Sequence, residues 1–206
     1  MKTLNALFAT LLFTGASSAF AASSVDLTVR GLITPSACEP SLPSGGNVDI
    51  GKISAKDLKA DDFTNLGEHK VTLTVTCDAA TLMAIEPQDN RAGSSADDIP
   101  VRFGLGLING TEKLGFLEAW LSAPLADSVE SRVIRSSDGG NTWERNSNFS
   151  TGTLLSVADN TTLAPIPVQV FNADLNLTAT IAPASSLTLT EEVPIDGSVT
   201  LTVKYL

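Results

Sequence analysis

The stretch that decides the fold is HKVTLTVTC, residues 69–77. Val71, Leu73, Val75 and Cys77 alternate there with three threonines. A period of two places the apolar side chains on one face of a β-strand and the threonines on the other face. The pattern therefore predicts a half-buried strand whose last inward-facing residue is Cys77.

Short segments of the same kind recur along the chain. The further strand candidates are residues 25–29, 48–50, 81–86, 101–108, 116–122, 132–136, 142–145, 168–171, 175–181 and 198–205. Asn109-Gly110 is a hairpin-turn signal, and residues 54–63 allow at most one short helical turn. Many short strands with turn signals between them predict an all-β sandwich or barrel.

The first 21 residues have the pattern of a secretory signal. Lys2 precedes an apolar stretch over residues 4–13, and small residues lead to the AFA of residues 19–21. The apolar stretch is too short to span a bilayer. We expect cleavage after residue 21 or, alternatively, after residue 22. The mature chain, residues 22–206, is then an exported single domain without a membrane span.

Cys38 and Cys77 are the two cysteines of the chain, 39 residues apart. An even cysteine count in an exported chain predicts one disulfide. His69 is the single histidine, so we expect no zinc site. The acidic pairs at residues 61–62 and 97–98 lack the spacing of a calcium loop, and no cofactor motif is present. We therefore expect neither a metal nor a cofactor.

The charge of the chain bears on its partners. It has 23 acidic and 13 basic residues, a formal net charge of −10, and loss of the signal removes Lys2 and no acid, giving 12 − 23 = −11. An acidic surface repels phosphate backbones. We therefore do not expect nucleic acid as a partner.

The alternation returns at the other end of the chain, in GSVTLTVKYL, residues 197–206. Val199, Leu201, Val203 and Tyr205 share one face of this predicted strand. The exposed edge of a strand is a template for pairing with another chain. This segment is therefore a candidate assembly edge.

These features in order resemble a chaperone–usher fimbrial subunit, a pilin of Gram-negative bacteria. The resemblance is carried by the signal peptide, the alternating segment after it, the cysteines of RGLITPSAC and VTLTVTC, and the final strand with penultimate Tyr205. It covers about residues 22–38, 69–77 and 168–206. Residues 80–160 are not like ordinary pilins and look more like a divergent group of fimbrial-like β-proteins.

The resemblance implies an immunoglobulin-like sandwich that lacks its last strand and is completed by a donor strand. A periplasmic chaperone would lend that strand in transit to an outer-membrane usher, and a neighbouring subunit would replace it in a fimbria on the cell surface. The donor would be residues 22–29, with Val25, Leu27 and Val29 facing the groove, and the C-terminal strand would be the acceptor edge. Because the leader is short, residues 22–29 could instead be the first strand of a self-complete secreted or periplasmic binding module, for example for carbohydrate.

One motif suggests a different function. SSDGGNTW, residues 136–143, matches the Asp-box S-x-D-x-G-x-T-W, best known from sialidase propellers. Its defining residues are Ser136, Asp138, Gly140, Thr142 and Trp143. A propeller needs several repeats, and the chain has one box and, in Tyr205, one tyrosine.

We therefore expect the Asp-box to be a turn of a β-hairpin between VESRVIR and TWERN, and the protein not to be an enzyme. Arg132, Arg135 and Arg145 flank this turn. The two tryptophans, Trp120 and Trp143, have the chemistry for sugar stacking, although the apolar neighbours of Trp120 favour core packing.

Overall fold

The computed structural model describes residue 28 and residues 37–206, and it contains no α-helix among them. The strands of this part are β1 (Cys38–Ser41), β2 (Thr64–Thr81), β3 (Met83–Asp89), β4 (Phe103–Gly104), β5 (Leu107–Ile108), β6 (Glu112–Lys113), β7 (Gly115–Ala126), β8 (Val129–Glu130), β9 (Arg132–Ser136), β10 (Leu154–Ala158), β11 (Val168–Ile181) and β12 (Val199–Tyr205). Short 3-10 turns lie at Pro43–Gly46, Ala55–Asp57 and Ala184–Ser186.

Two antiparallel sheets form a sandwich, which confirms the predicted all-β fold. The first sheet has the order β1-β2-β11-β7-β4, with β8 also paired to β7, and the second has the order β12-β3-β10-β9. Strands β5 and β6 form a separate small ribbon. The inner faces of the two sheets meet in a core that includes Val75, Ile85, Phe103, Leu155 and Phe171.

A second apolar cluster lies where two irregular segments, residues 42–63 and 182–198, pack beside the sheets. Its buried members include Leu105, Leu114 and Ile181. Half-buried residues of the irregular segments, among them Ile50 and Ile195, pack against it. This part of the interior is therefore covered by side chains of extended segments and not by strands.

Strand β2 is much longer than the alternation at residues 69–77 indicates. It has 18 residues and pairs with β11 from Thr64 to Thr81. Its register against β11 shifts twice, at Val168/Val170 and Thr178/Thr180. These irregularities let one strand continue through positions where the side-chain alternation is interrupted.

Strand β1 ends after four residues because the following sequence cannot extend it. Pro43 has no N–H to donate to a ladder. Ser44, Gly45 and Gly46 follow with φ values of 53°, 63° and 80°, a left-handed run that glycine tolerates well. In the described chain β1 therefore pairs with β2 from Cys38↔Cys77 to Ser41↔Thr74 and no further.

Several expected strands are corrected by the structure. Residues 48–50 keep their alternation but belong to no strand, because no strand edge in the described chain pairs with them. Residues 101–108 divide into β4 and β5, separated by Gly106 with φ of 90°. Residues 168–171 and 175–181 are parts of the one strand β11.

The expected hairpin between residues 132–136 and 142–145 is present only as a single antiparallel residue pair. Residues 142–145 form one isolated bridge, Arg135↔Glu144. The ladder partner of β9 is β10, with the register running from Leu154↔Ser136 to Ala158↔Arg132. The sequence pattern did not predict β10, because four of its five residues are buried and apolar and polar positions do not alternate.

The predicted disulfide is confirmed. Cys38 and Cys77 are bonded and lie directly opposite each other in the β1–β2 ladder. Cys77 is buried in the main core, whereas Cys38 is half-buried. The bond fixes the short strand β1 to the sheet at its first residue.

We predict that replacing both cysteines, in C38S/C77S, lowers the free energy of unfolding by about 4 kcal/mol, the loop-entropy value for a bridge of this separation. The measurement is urea denaturation followed by circular dichroism. Reduction of the wild-type protein should reproduce the shift, and the same reductant should leave the double variant unchanged. An unaltered midpoint in the double variant would contradict the prediction.

Candidate functional site

The candidate site is a groove along one side of the sandwich, here named the edge groove. It has a volume of about 410 Å³. Val71 of β2, Leu117 of β7, Leu177 of β11 and Leu201 of β12 line it, so both sheets contribute. Residues 42–50 and 195–198 of the irregular segments also line it, and polar Asn47, His69 and Ser198 lie among mainly aliphatic side chains.

A second, larger cavity of about 740 Å³ adjoins the edge groove. Val48, Ile50 and Ile195 line both. The second cavity runs between residues 48–55 and 189–195. Together the two cavities extend the apolar surface from β12 along the irregular segments.

The strand edges beside the groove are unpaired. Among the described residues, no strand pairs with residues 64–73 of β2 on the side away from β11. Strand β12 pairs with β3 from Val199↔Asp89 to Tyr205↔Met83, and no strand of the described chain pairs with its other edge. Free backbone N–H and C=O groups on two flanking edges are the requirement for accepting an added strand.

The structure places the four candidate acceptor residues on β12. Val199, Leu201 and Val203 face inward and are half-buried against the main core. Tyr205 is 44% exposed, and its hydroxyl oxygen accepts a hydrogen bond from the backbone N–H of Cys38 at 3.0 Å. Tyr205 therefore connects the edge strand of the second sheet to the disulfide-bonded residue of the first.

The candidate donor residues Val25, Leu27 and Val29 lie outside the described residues. What the structure does show is where the chain joins the body. Ala37 N–H donates to the Asp78 carboxylate at 3.1 Å, and β1 then runs from Cys38 towards the groove. The segment before Ala37 therefore joins at the end of β1 away from residues 64–73 of β2.

Two extended segments partly cover the groove side. Half-buried Val48 and Ile50 alternate with exposed neighbours in one segment, as do Val193 and Ile195 in the other. The segments are linked by an ion pair, Lys52 Nζ to Glu192 Oε1 at 2.7 Å, between two side chains that are each 88% exposed. An exposed pair of this kind contributes little stability. The cover is held mainly by the apolar packing of its half-buried side chains, by two backbone hydrogen bonds from residues 184 and 185 to residues 59 and 60, and by the Arg91–Asp196 ion pair.

Sequence reasoning missed the residues of the first sheet that form the groove floor. His69 and Val71 were predicted as strand residues, but their position beside the open edge was not. The floor also includes Leu175 and Leu177 of β11. A signal was available in CEPSLPSGG, residues 38–46, since its prolines and glycines limit the strand that would otherwise cover β2.

The Asp-box is a turn closed by its own hydrogen bonds. The carboxylate of Asp138 accepts from Thr142 Oγ1 at 2.6 Å and Thr142 N–H at 2.9 Å. The hydroxyl of Ser136 donates to Asp138 Oδ1 at 2.7 Å and accepts from Gly140 N–H at 2.8 Å. Half-buried Trp143 donates its indole N–H to the Gly140 carbonyl oxygen at 3.1 Å.

These contacts have an electrostatic consequence. Hydrogen bonds from the side chain and backbone of Thr142, and then from Ser136, lower the pKa of Asp138 to about 2. Each of these donors belongs to the turn itself. The arrangement holds a charged carboxylate in place and stabilises the turn.

Other chemistry-bearing residues are dispersed. No group of three or more His, Cys, Asp or Glu side chains suited to a metal ion is found among the described residues. Asp97 pairs with Arg102, which also contacts Glu118 and lies over the ring of Phe116. Within the described part of the chain, no helix has the length and apolar character needed to cross a membrane.

Comparison with known proteins gives three similarities. Residues 27–115 match a family described as "Protein of unknown function (DUF1120)". The chain is 29% identical over 233 positions to Protein GltF of Escherichia coli (strain K12), covering 92% of each chain. It is 37% identical over 79 residues to Uncharacterized protein YhcF of the same organism, over 38% of this chain and 33% of that protein.

We predict that D138N lowers the melting temperature at pH 7, because the amide cannot accept both hydrogen bonds from Thr142. A carboxylate whose pKa is lower in the folded than in the unfolded state stabilises the folded protein fully at a pH above the unfolded-state pKa, which is near 3.8. That stabilisation is lost as the pH falls towards the folded-state pKa of about 2. The difference in melting temperature between wild type and D138N should therefore shrink between about pH 4 and about pH 2.

Thermal melts across this pH range provide the measurement. The matched control is S137A, which changes an exposed neighbour in the same turn and should melt like the wild type at every pH. A D138N deficit that stays constant down to about pH 2 would show that the charge of Asp138 does not stabilise the turn.

Proposed function

We propose that this protein is a structural subunit of a surface fimbria, assembled by donor-strand complementation through a periplasmic chaperone and an outer-membrane usher. The observation that carries the proposal is the edge groove: an apolar channel between two unpaired strand edges, one of β2 and one of β12. An added strand would pair with the free backbone groups and place alternate side chains in the channel.

The dimensions of the groove suit a short apolar strand. The inward residues of β12, Val199, Leu201 and Val203, are spaced two apart over a strand of seven residues. A donor with the same period would bury its apolar side chains against them, because neighbouring strands share one side-chain period. Residues 22–29, ASSVDLTV, have that period in Val25, Leu27 and Val29.

The attachment of the N-terminal segment also supports donation between molecules. The chain joins the body at Ala37 and Cys38, and β1 then runs towards the groove. A segment that precedes Cys38 would have to reverse direction to enter the groove of its own molecule. A neighbouring subunit needs no such reversal.

The first test changes one residue of the acceptor strand. L201E puts a carboxylate on the inward face of β12 and should abolish co-purification with the cognate periplasmic chaperone, because burying an unpaired charge is strongly unfavourable. T200E on the opposite, exposed face, where the ladder partner is the uncharged Gln88, is the matched control and should co-purify normally. Equal chaperone binding by the two variants would contradict the assignment of the acceptor edge.

Deletion of residues 22–29 tests the donor in the same system. The deleted chain should still bind the chaperone but should not form polymers that resist cold SDS. If this variant polymerises normally, residues 22–29 are not the donor strand.

A second candidate function is a self-complete secreted or periplasmic binding module. The specific observation in its favour is that residues 42–54 and 187–197 already cover part of the groove, with Val48, Ile50 and Ile195 half-buried in it. In this case the groove would be part of a finished interior, and the protein would not require a donor.

The stability of the isolated mature protein distinguishes the fimbrial subunit from the self-complete module. A strand-deficient subunit purified without its chaperone should aggregate, or melt at a temperature that rises when the peptide ASSVDLTV is added. A scrambled peptide of the same composition is the control. A cooperative melt that neither peptide shifts would favour the self-complete module.

A further inference from the structure

A cleft on the opposite side of the sandwich combines features of a ligand site. It lies between β7 and β9, has a volume of about 470 Å³, and is lined by polar residues that include Ser131, Arg132, Arg145, Asn146, Ser147 and Asn160. No carboxylate is among its lining residues in the described chain. We name it the arginine cleft.

The two arginines of the cleft differ from the others. Of the five arginines among the described residues, Arg91, Arg102 and Arg135 are each paired with a carboxylate. Arg132 and Arg145 are not, and these are the two that line the cleft. In a chain with a net charge of −10, two guanidinium groups without carboxylate partners on one cleft mark a place for an external anion.

One arginine is held in place and the other is free. The guanidinium of Arg132 donates to the backbone carbonyl oxygen of Asn160, which fixes the half-buried side chain and leaves further N–H groups unused. Arg145 is exposed and has no hydrogen-bond partner among the described residues. Since both arginines line the cleft, a carboxylate bound there could accept hydrogen bonds from each guanidinium group.

The remaining lining suits a sugar better than a bare anion. Asn146 accepts one backbone hydrogen bond with its Oδ1, which leaves its amide N–H groups available, and Ser147 contributes a hydroxyl. Amides and hydroxyls both donate and accept, as vicinal sugar hydroxyls require. Half-buried Pro124 adds apolar surface for the C–H face of a pyranose ring.

We infer that the arginine cleft binds an acidic saccharide, a sugar that carries a carboxylate. Strand β7 borders both sites, with Leu117 and Ala119 in the edge groove and Leu121 and Pro124 in the cleft, but the two sites have no lining residue in common. Occupation of the groove by a strand leaves the cleft open. The inference therefore holds for a fibre subunit and for a self-complete module alike.

The test is a titration of the mature chain with D-glucuronate, followed by amide chemical shifts at constant ionic strength up to about 50 mM ligand. D-glucose, which has no carboxylate, and acetate, which has no sugar hydroxyls, are the comparison ligands. Glucuronate should bind at least about tenfold more tightly than either. Equal binding of acetate would identify a simple anion site and overturn the inference, as would the absence of glucuronate binding.

Three arginine variants locate the site. R145Q should weaken glucuronate binding about tenfold or more, and R132Q should do the same. R135Q, on the same strand as Arg132 but paired with Glu144, is the matched control and should change binding by less than about twofold. R145Q removes no contact of the fold, so unchanged binding by this variant overturns the inference even if R132Q is unstable.

Discussion

One edge of strand β2 is hydrogen-bonded to β11 along most of its length. Within the described residues, the other edge is paired at four residues. β11 pairs with β2 from Thr64 to Thr81, whereas β1 reaches from Cys77 to Thr74. The inward side chains of β2 continue beyond that point, and so do those of β11 and β7 beneath it. Apolar surface is thus left beside an open edge. The inward side chains of β12 face this surface but remain half-buried, so the core is not closed there. The length of β1 is therefore the constraint on which the groove depends.

The two sides of the sandwich are stabilised in different ways. On the side of β7 and β9, carboxylates fix the turns: Asp127 accepts from the backbone N–H groups of Gln169 and Val170. Asp138 and Asp159 close turns of their own, and the pKa of each is lowered to about 2 by the hydrogen bonds it accepts. On the groove side, extended segments pack by side chains and are joined by two backbone hydrogen bonds between residues 59–60 and 184–185 and by one exposed ion pair. The turns are thus closed by hydrogen bonds within short stretches of chain, whereas the cover over the groove is held by contacts between segments that are distant in sequence.

A segment of this structure could be predicted where its own residues form a recognisable pattern, and could not where its structure depends on residues elsewhere in the chain. The alternation of β2 and β12 and the Asp-box turn are each contained in a single stretch of residues, and the disulfide follows from the cysteine count. Strand β10 was missed because Leu154 to Ala158 lie in the middle of a sheet, where burial of successive residues removes the alternation. Residues 48–50 alternate without forming a strand, since the alternation reports a buried face and not the presence of a partner edge. The groove depends on contacts between segments that are distant in sequence. The cleft depends on which arginines near the Asp-box turn form ion pairs with carboxylates, and the sequence alone does not show that Arg135 does so and Arg132 and Arg145 do not.

The disulfide has a mechanical consequence. In a fibre of the proposed kind, tension along the chain would reach the body through the segment before Cys38. Strand β1 is a four-residue edge strand, and such a strand would peel from the sheet one hydrogen bond at a time under a pull from its end. The covalent bond to Cys77 lies at its first residue, so the force would pass directly into β2 and, through its long ladder, into β11. The disulfide would then transmit the tension, and the hydrogen bonds of β1 would carry almost none of it.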